Sequence, residues 1–257
     1  MLSVDDNLFS VLEEICLEAG RAIMEIYTSE DFETSFKKDE QNSPLTKADL
    51  AANSIINEGL KKSFSIPIVS EEQSDKENRE ASKTDQYWII DPLDGTKEFI
   101  NKRDQFTINI GLMERCKPIA GMMYVPAEDT LYWGSDKAYR KKDGKVQEIK
   151  VSEAEVKRAV VSFSHFDTDT EEFLKQFGDI ELVQAGSALK ICKVAEGSAE
   201  IYPRLAPLME WDTAAGDAIL RAAGGRVVNL DGEELKYCKP GFKHSGFICS
   251  NNIQYKL

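Results

Sequence analysis

Histidine and basic residues are scarce in this chain of 257 residues. It has two histidines, His165 and His244, so a zinc site made from three imidazoles is excluded. Lysine and arginine together number 32, against 45 aspartates and glutamates, which gives a net charge of −13 at pH 7. A protein that binds a polyanion presents a basic face. The composition therefore argues against DNA, RNA and anionic lipid surfaces as partners.

Long apolar runs are also missing. No uncharged stretch approaches the ~18 residues that a membrane-spanning helix needs. The N-terminal MLSVDD carries acids where a signal peptide has basic and then apolar residues. The five cysteines form no Cys-x-x-Cys pair, and an odd number cannot all pair within one chain. We expect reduced thiols in a soluble cytoplasmic protein that does not span a membrane, with peripheral contact to the inner membrane face left open.

The apolar residues that are present follow the patterns of an α/β protein. Helical spacing predicts a helix over residues 3–27, and Thr46 with Asp49 forms a capping box that opens a second one. We expect a charged loop around residues 75–85. The remaining predicted elements are strands at 66–70, 87–90, 106–112, 119–125, 131–134, 159–163 and 180–184, and helices at 170–177, 187–196 and 213–223.

The pattern changes near residue 152, where strands and helices begin to alternate. We predict two packed halves. Residues 1–151 form an α+β half that carries most metal ligands, and residues 152–257 form an α/β half that carries Asp212 and the nucleotide contacts. Clefts between such halves are common ligand sites.

Carboxylates follow the predicted short strands. Glu71 comes directly after residues 68–70, Asp91 and Asp94 follow the apolar run at 87–90, and Asp212 precedes a predicted helix. Acids at the ends of elements, with little histidine nearby, suit cations such as Mg²⁺ that prefer oxygen ligands. Two such ions can hold a phosphate and lower the pKa of an attacking water.

Each acid also has a structural interpretation. Glu71 alone could be an exposed loop acid, Asp94 with the following glycine a turn, Asp212 a helix-terminal acid, and Asp49 only a capping residue. Asp91 is harder to dismiss, because it follows Tyr-Trp-Ile-Ile at the buried end of a strand, where an unpaired carboxylate is costly. Taken together, the acids favour a metal site.

Two segments resemble the signatures of a known family. WIIDPLDGTKEF at residues 88–99 resembles the first signature of the inositol monophosphatase superfamily, and EWDTAAG at residues 210–216 resembles the second. The ending TKEF, with Tyr202-Pro203-Arg204 before the second signature, is similar to the branch that hydrolyses 3′(2′),5′-bisphosphate nucleotides. The resemblance implies an α+β class with the layered α-β-α-β-α fold of sugar phosphatases such as fructose-1,6-bisphosphatase. It also implies Mg²⁺ dependence and inhibition by Li⁺.

The resemblance also implies roles for individual residues. One Mg²⁺ would be held by Glu71, Asp91 and the Leu93 carbonyl, and a second by Asp91, Asp94 and Asp212, with a third ion left open. Thr96, oriented by Asp49, would position the attacking water, and Glu71 would help to accept its proton. The residues expected to touch substrate are Glu71, Leu93, Asp94, Gly95, Thr96, His165, Ser187, Lys190, Arg204 and Asp212.

The implied substrate is 3′-phosphoadenosine 5′-phosphate, which would be hydrolysed to AMP in sulfur assimilation. Whether the corresponding 5′-phosphosulfate is also a substrate is left open. Lys190 and Arg204 are the expected partners of the 5′-phosphate. Phe163 and Ala188 stand where the family usually has a basic residue and a serine. His244 is expected at the polar surface. The chain is expected to be a monomer or a homodimer.

Two other functions stay open. One is an inositol monophosphatase or sugar bisphosphatase that uses the same metal site. The other is a sensor of nucleotide or metal without catalytic activity. A sensor needs the metal-binding acids but not the pair of Asp49 and Thr96 that orients water. The presence of both residues favours catalysis.

Overall fold

A computed structural model describes residues 2–29, 35–36, 44–163, 166–253 and 255–256. The helices in this part of the chain are α1 (Asp6–Thr28), α2 (Lys47–Ser63), α3 (Asp75–Ala81), α4 (Thr96–Ile100), α5 (Thr168–Leu174), α6 (Leu189–Ala195) and α7 (Ala214–Ala222). The strands are β1 (Ser35–Phe36), β2 (Pro44–Leu45), β3 (Ile68–Ser70), β4 (Gln86–Asp94), β5 (Thr107–Glu114), β6 (Lys117–Val125), β7 (Thr130–Gly134), β8 (Ala138–Lys142), β9 (Lys145–Ile149), β10 (Arg158–Ser162), β11 (Glu181–Ala185), β12 (Ile201–Arg204), β13 (Leu208–Met209), β14 (Arg226–Val228), β15 (Lys243–His244) and β16 (Phe247–Ser250).

The larger strands form two sheets. Strands β3 to β9 make a seven-stranded sheet in chain order, in which β3 and β4 are parallel and the later neighbours are antiparallel. A five-stranded sheet has the order β11-β10-β12-β16-β14, with β10 parallel to both of its neighbours. The short strands β1 with β2, and β13 with β15, pair separately.

Helices cover both sheets and fill the space between them. The β4 side chains of Trp88 and Ile90 join the core formed by α1 and α2, whereas Tyr87 and Ile89 join the core that contains α6 and α7. The five-stranded sheet also contributes to this second core, and its opposite face packs against Leu174 of α5. The alternation of side chains along the strands thus produces the layers α-β-α-β-α. The predicted fold class is confirmed.

A row of glycines brings helix α7 close to the seven-stranded sheet. Gly111, Gly121 and Gly134 are register partners across β5, β6 and β7. A Cβ atom on Gly121 would lie 2.2 Å from the backbone oxygen of Ala215, which is far inside van der Waals contact. The first turn of α7 therefore rests directly on the sheet backbone. This contact fixes the position of Asp212, which lies two residues before the helix.

The prediction that all thiols are reduced is wrong for one pair. Cys116, in the turn between β5 and β6, forms a disulfide with Cys238, which is 122 residues further along the chain. Cys16, Cys192 and Cys249 are free and buried. Cysteine spacing could not reveal the bond, because its partners are far apart in the chain and are brought together only by the tertiary structure.

Other expectations also need correction. The charged segment near residue 80 contains helix α3, which begins with a capping box formed by Ser74 and Glu77. His244 is buried rather than at the surface, and its Nε2 lies 2.9 Å from the hydroxyl oxygen of Thr213. The sequence patterns do not predict helix α4 or strands β1, β2, β8, β9 and β12 to β16. No helix in the described residues is long and apolar enough to cross a membrane.

The division into halves at residue 151 stays a prediction, since α7 packs against strands β5 and β6 of the first half.

The glycine row yields a test of how α7 is placed. We expect Gly121→Ala to lower the free energy of unfolding by about 3 kcal/mol, at the upper end of the usual cost of overpacking, because its neighbour is backbone that cannot rotate away. The control is Gly144→Asn, where the added Cβ meets nothing within 4 Å and asparagine tolerates the left-handed φ of 71°. Urea denaturation compares the two variants. Equal stability losses would contradict the close contact.

Candidate active site

Carboxylates from three separate segments meet at one end of strand β4. Single oxygen atoms of Glu71, Asp91 and Asp212 all lie within 4.8 Å of one another. Glu71 is brought there because β3 runs parallel to β4, with Ser70 beside Ile90 in the register. Asp212 arrives from the other side, just before helix α7. The structure therefore brings together three of the four predicted carboxylate ligands in one cluster.

Asp94, the fourth predicted carboxylate, lies at the end of β4 beyond an irregularity in its pairing with β5. Its Oδ2 accepts a hydrogen bond from the backbone N–H of Ala188. Burial raises the pKa of Asp94 to about 6, against the opposing effect of Lys190. Burial, together with the charges of Asp94 and Glu71, raises the pKa of Asp212 well above its usual range. A cation bound among these groups would favour their ionised forms.

The donor set fits a hard divalent cation. Asp91 is almost fully buried, and its Oδ1 accepts a hydrogen bond from the Leu93 N–H at 3.0 Å. Asp212 is held in place by the Met209 N–H, which donates to its Oδ2 at 3.0 Å. The cluster consists of carboxylate oxygens, without imidazole or thiolate. Oxygen-only sets of this kind are typical of Mg²⁺, Ca²⁺ and Mn²⁺ rather than of zinc or copper.

Asp49 serves two partners with its two oxygens. Its Oδ2 accepts hydrogen bonds from the backbone N–H and the hydroxyl of Thr46, at 2.8 and 2.6 Å, which completes the capping box of α2. Its Oδ1 accepts from the Thr96 hydroxyl at 3.2 Å. The capping interpretation is therefore confirmed, and the role of Asp49 in orienting Thr96 for catalysis stays a prediction. The same Thr96 oxygen also lies 3.4 Å from the Leu93 carbonyl oxygen.

Glycine is required where β4 turns into α4. Gly95 has a φ of 90°, in the left-handed region, and a Cβ there would lie 3.1 Å from the Cβ of Ser187 and 3.2 Å from the Gln105 carbonyl oxygen. A side chain would thus be both strained and crowded. This turn places the N-terminus of α4, at Thr96, directly after the acidic residues of β4.

A cleft with about 90 Å³ of water-accessible space opens beside the carboxylates. Two cationic side chains line it, Lys190 and Arg204, together with Ser187. The Lys190 ammonium donates to the Ser187 carbonyl oxygen at 2.6 Å, and burial lowers the pKa of this lysine to about 8. The Arg204 Nε is buried without a hydrogen-bond partner among the described residues. The cleft therefore places positive charge next to the acidic cluster.

Half of the twelve predicted site residues line this cleft. Asp94, Gly95, Ser187, Lys190, Arg204 and Asp212 line it. His165 lies outside the described residues. Lys190 is buried in the cleft and not on the surface. Six further lining residues have no role predicted from the sequence, although the first two lie inside segments quoted for the resemblance: Glu98, Tyr202, Ser162, Ile191, Leu208 and Phe247.

Known proteins are similar to this chain over nearly its whole length. A 3′(2′),5′-bisphosphate nucleotidase CysQ from Salmonella typhimurium is 41% identical over 92% of this chain and 98% of its own length. A protein of the same name from Escherichia coli K12 is 40% identical over 93% and 99%. Similarity at this level over full length is evidence of a common family.

Solved structures are also similar to this chain over nearly its whole length. The crystal structure of CysQ from Bacteroides thetaiotaomicron superposes with a TM-score of 0.82 at 37% identity, covering 95% of this chain and 97% of that one. An IMPase from Thermotoga maritima superposes with a TM-score of 0.78 at 25% identity, covering 96% and 92%. The family profile itself matches residues 5–256. The acidic cluster, the layered fold and these matches together show that the chain belongs to the inositol monophosphatase family.

Proposed function

We propose that this protein is a 3′(2′),5′-bisphosphate nucleotidase that removes the 3′-phosphate of 3′-phosphoadenosine 5′-phosphate with the help of Mg²⁺. The observation that carries the proposal is the position of Lys190 and Arg204 in a cleft that also contains Asp94 and Asp212. A substrate with one phosphate to cleave and another to bind requires this combination. The names of the relatives at 40% identity support the same activity.

The carboxylate cluster would hold the cations. Glu71, Asp91 and the Leu93 carbonyl would bind one Mg²⁺, and Asp91, Asp94 and Asp212 would bind a second. When bound, Mg²⁺ supplies Lewis-acid polarisation of the phosphate and acidifies the attacking water. The fit rests on the convergence of Glu71, Asp91 and Asp212 oxygens within 4.8 Å. A third ion and its ligands stay open.

The hydroxyl of Thr96 would orient the attacking water. Asp49 accepts the Thr96 proton at 3.2 Å, so a lone pair of the threonine oxygen is left to receive a hydrogen bond from water. Glu71, in the same cluster as Asp91, would help to accept the proton that the water loses. The backbone N–H groups of Gly95 and Thr96, at the start of α4, would bind the phosphate that is cleaved.

The rest of the nucleotide would occupy the cleft beyond the cluster. Lys190 and Arg204 would bind the 5′-phosphate, with Ser187 beside them. His165 stays a predicted nucleotide contact. The product would be AMP, which places the reaction in sulfur assimilation. The inositol monophosphatase activity of structural relatives is the second candidate, because the carboxylate cluster does not by itself discriminate between phosphate esters.

The first prediction concerns the metal. EDTA should abolish phosphatase activity and Mg²⁺ should restore it, and Asp94→Asn or Asp212→Asn should lower kcat about 100-fold or more, because each removes a charged ligand. Glu71→Gln should also lower the rate, whereas Glu72→Gln, its neighbour in the chain, should leave it unchanged. Steady-state kinetics with added MgCl₂ provide the measurement. Full activity in EDTA would refute the assignment.

The second prediction separates catalysis from stability at Asp49. Thr96→Ala should lower kcat at least about 100-fold in a folded protein, because only water positioning is lost, and Thr96→Ser should restore much of it. Thr46→Ala is the matched control. It removes the capping hydroxyl, so it should reduce stability by about 0.5–2 kcal/mol and leave kcat intact. Normal turnover by Thr96→Ala would show that the hydroxyl has no such role.

The third prediction concerns substrate choice. The protein should hydrolyse 3′-phosphoadenosine 5′-phosphate with a much higher kcat/KM than inositol 1-phosphate or fructose 1,6-bisphosphate. Arg204→Ala or Lys190→Ala should raise KM for the nucleotide by roughly 10–150-fold, the value of a charge-assisted contact. Lys193→Ala serves as the control, since that lysine pairs with Glu196 and does not line the cleft. Preference for inositol 1-phosphate would favour the second candidate.

A further inference from the structure

Strand β5 places two polar side chains next to the carboxylates of β4. In the antiparallel register, Asn109 pairs with Asp91 and Thr107 pairs with Asp94. Directly paired residues point to the same face of a sheet, with Cβ atoms about 4.5–5.5 Å apart. The intervening Ile108 points the other way, into the core of α1 and α2. We refer to Thr107 and Asn109 as the β5 polar pair.

The β5 polar pair is buried without hydrogen bonds in the described part of the protein. Asn109 is 1% exposed and Thr107 is fully buried. Neither the Oδ1 nor the Nδ2 of Asn109 has a hydrogen-bond partner there, and neither has the Thr107 hydroxyl. On its other side, Asn109 pairs with Met123 of β6. A buried polar group left unpaired costs about 1–3 kcal/mol, so three such atoms at one place require a physical explanation.

Proximity to the acidic cluster supplies that explanation. Carboxylates that bind metals in proteins are themselves held by hydrogen bonds from neighbouring groups. Mg²⁺ also retains several waters, each of which needs acceptors. A primary amide offers both functions, because its Nδ2 donates and its Oδ1 accepts.

We propose that the β5 polar pair positions the Mg²⁺ site. Asn109 donates from Nδ2 to the Asp91 carboxylate and accepts at Oδ1 from a hydration water of the cation. The Thr107 hydroxyl donates to Asp94. This inference rests on the proposed function, since it assumes that the cluster binds Mg²⁺. It assigns to both residues a positioning role, without contact to the reacting atoms.

A positioning role and a purely structural role differ in the protein without metal. If Asn109 stabilised the fold itself, its replacement by an apolar residue would lower the melting temperature in EDTA. Its amide has no partner among the described residues, so we expect the opposite. Removing an unpaired buried polar group leaves stability unchanged or raises it. The cost should appear only when Mg²⁺ binds.

The test measures Mg²⁺ affinity and stability separately. Wild type, Asn109→Leu and Thr107→Val are titrated with MgCl₂ in a calorimeter, and each is melted in EDTA. We expect both variants to raise the Mg²⁺ dissociation constant about 10–100-fold. Their Tm in EDTA should equal or exceed that of the wild type. If Asn109→Leu does not fold, Asn109→Ala carries the same expectation for affinity.

Met123→Leu is the matched control. Met123 lies beside Asn109 on the same sheet and is apolar, and a swap that conserves volume should leave Mg²⁺ affinity unchanged. Wild-type affinity in both polar-pair variants would overturn the inference, and so would a lower Tm in EDTA with unchanged affinity. An equal loss of affinity in Met123→Leu would also overturn it, because repacking would then be the cause. A wild-type protein that binds no Mg²⁺ would instead refute the metal site and the proposed function.

Discussion

Repulsion between like charges is the constraint on which the rest of this structure depends. Glu71, Asp91 and Asp212 converge at the end of one strand, with Asp94 close by. Burial first, and then the neighbouring negative charges, raise the pKa values of Asp94 and Asp212. Such an arrangement opposes folding unless protons or cations neutralise it. The backbone therefore has to hold these carboxylates in place against their mutual repulsion.

Strand pairing and close packing of the backbone hold the acids in position. The parallel pairing of β3 with β4 sets Glu71 beside Asp91, and a bulge separates Asp91 from Asp94. Asp212 lies two residues before helix α7, and Gly121 of β6 lets this helix approach the sheet so closely that a methyl group on the glycine would collide with it. A change that loosens the contact between α7 and the sheet would therefore also displace Asp212 from the other acids.

Local patterns in the sequence predicted the fold class and the individual features near the acids. The capping box of Asp49 and the buried position of Asp91 are features of neighbouring residues, and the structure confirms both. The roles of the site residues in catalysis stay predictions. The disulfide of Cys116 and the burial of His244 depend on segments that are far apart in the chain, so no local pattern reported them. The position of Asn109 could not be predicted for a similar reason. In the sequence it is one of the polar residues that alternate with apolar ones along β5, and only the pairing of β5 with β4 places it opposite Asp91.

The divided carboxylate of Asp49 has a consequence for how this protein can diverge. One oxygen closes the first turn of α2, and the other restrains Thr96 at the active site. In the proposed mechanism Asp49 orients Thr96, so a substitution of Asp49 would weaken helix α2 as well as lower turnover. Selection for a stable fold would then retain this residue even in a relative without catalytic activity. Thr46 contacts only the Asp49 oxygen that caps the helix, so its replacement would affect stability alone. We therefore expect substitutions to be tolerated at Thr46 before they are tolerated at Asp49.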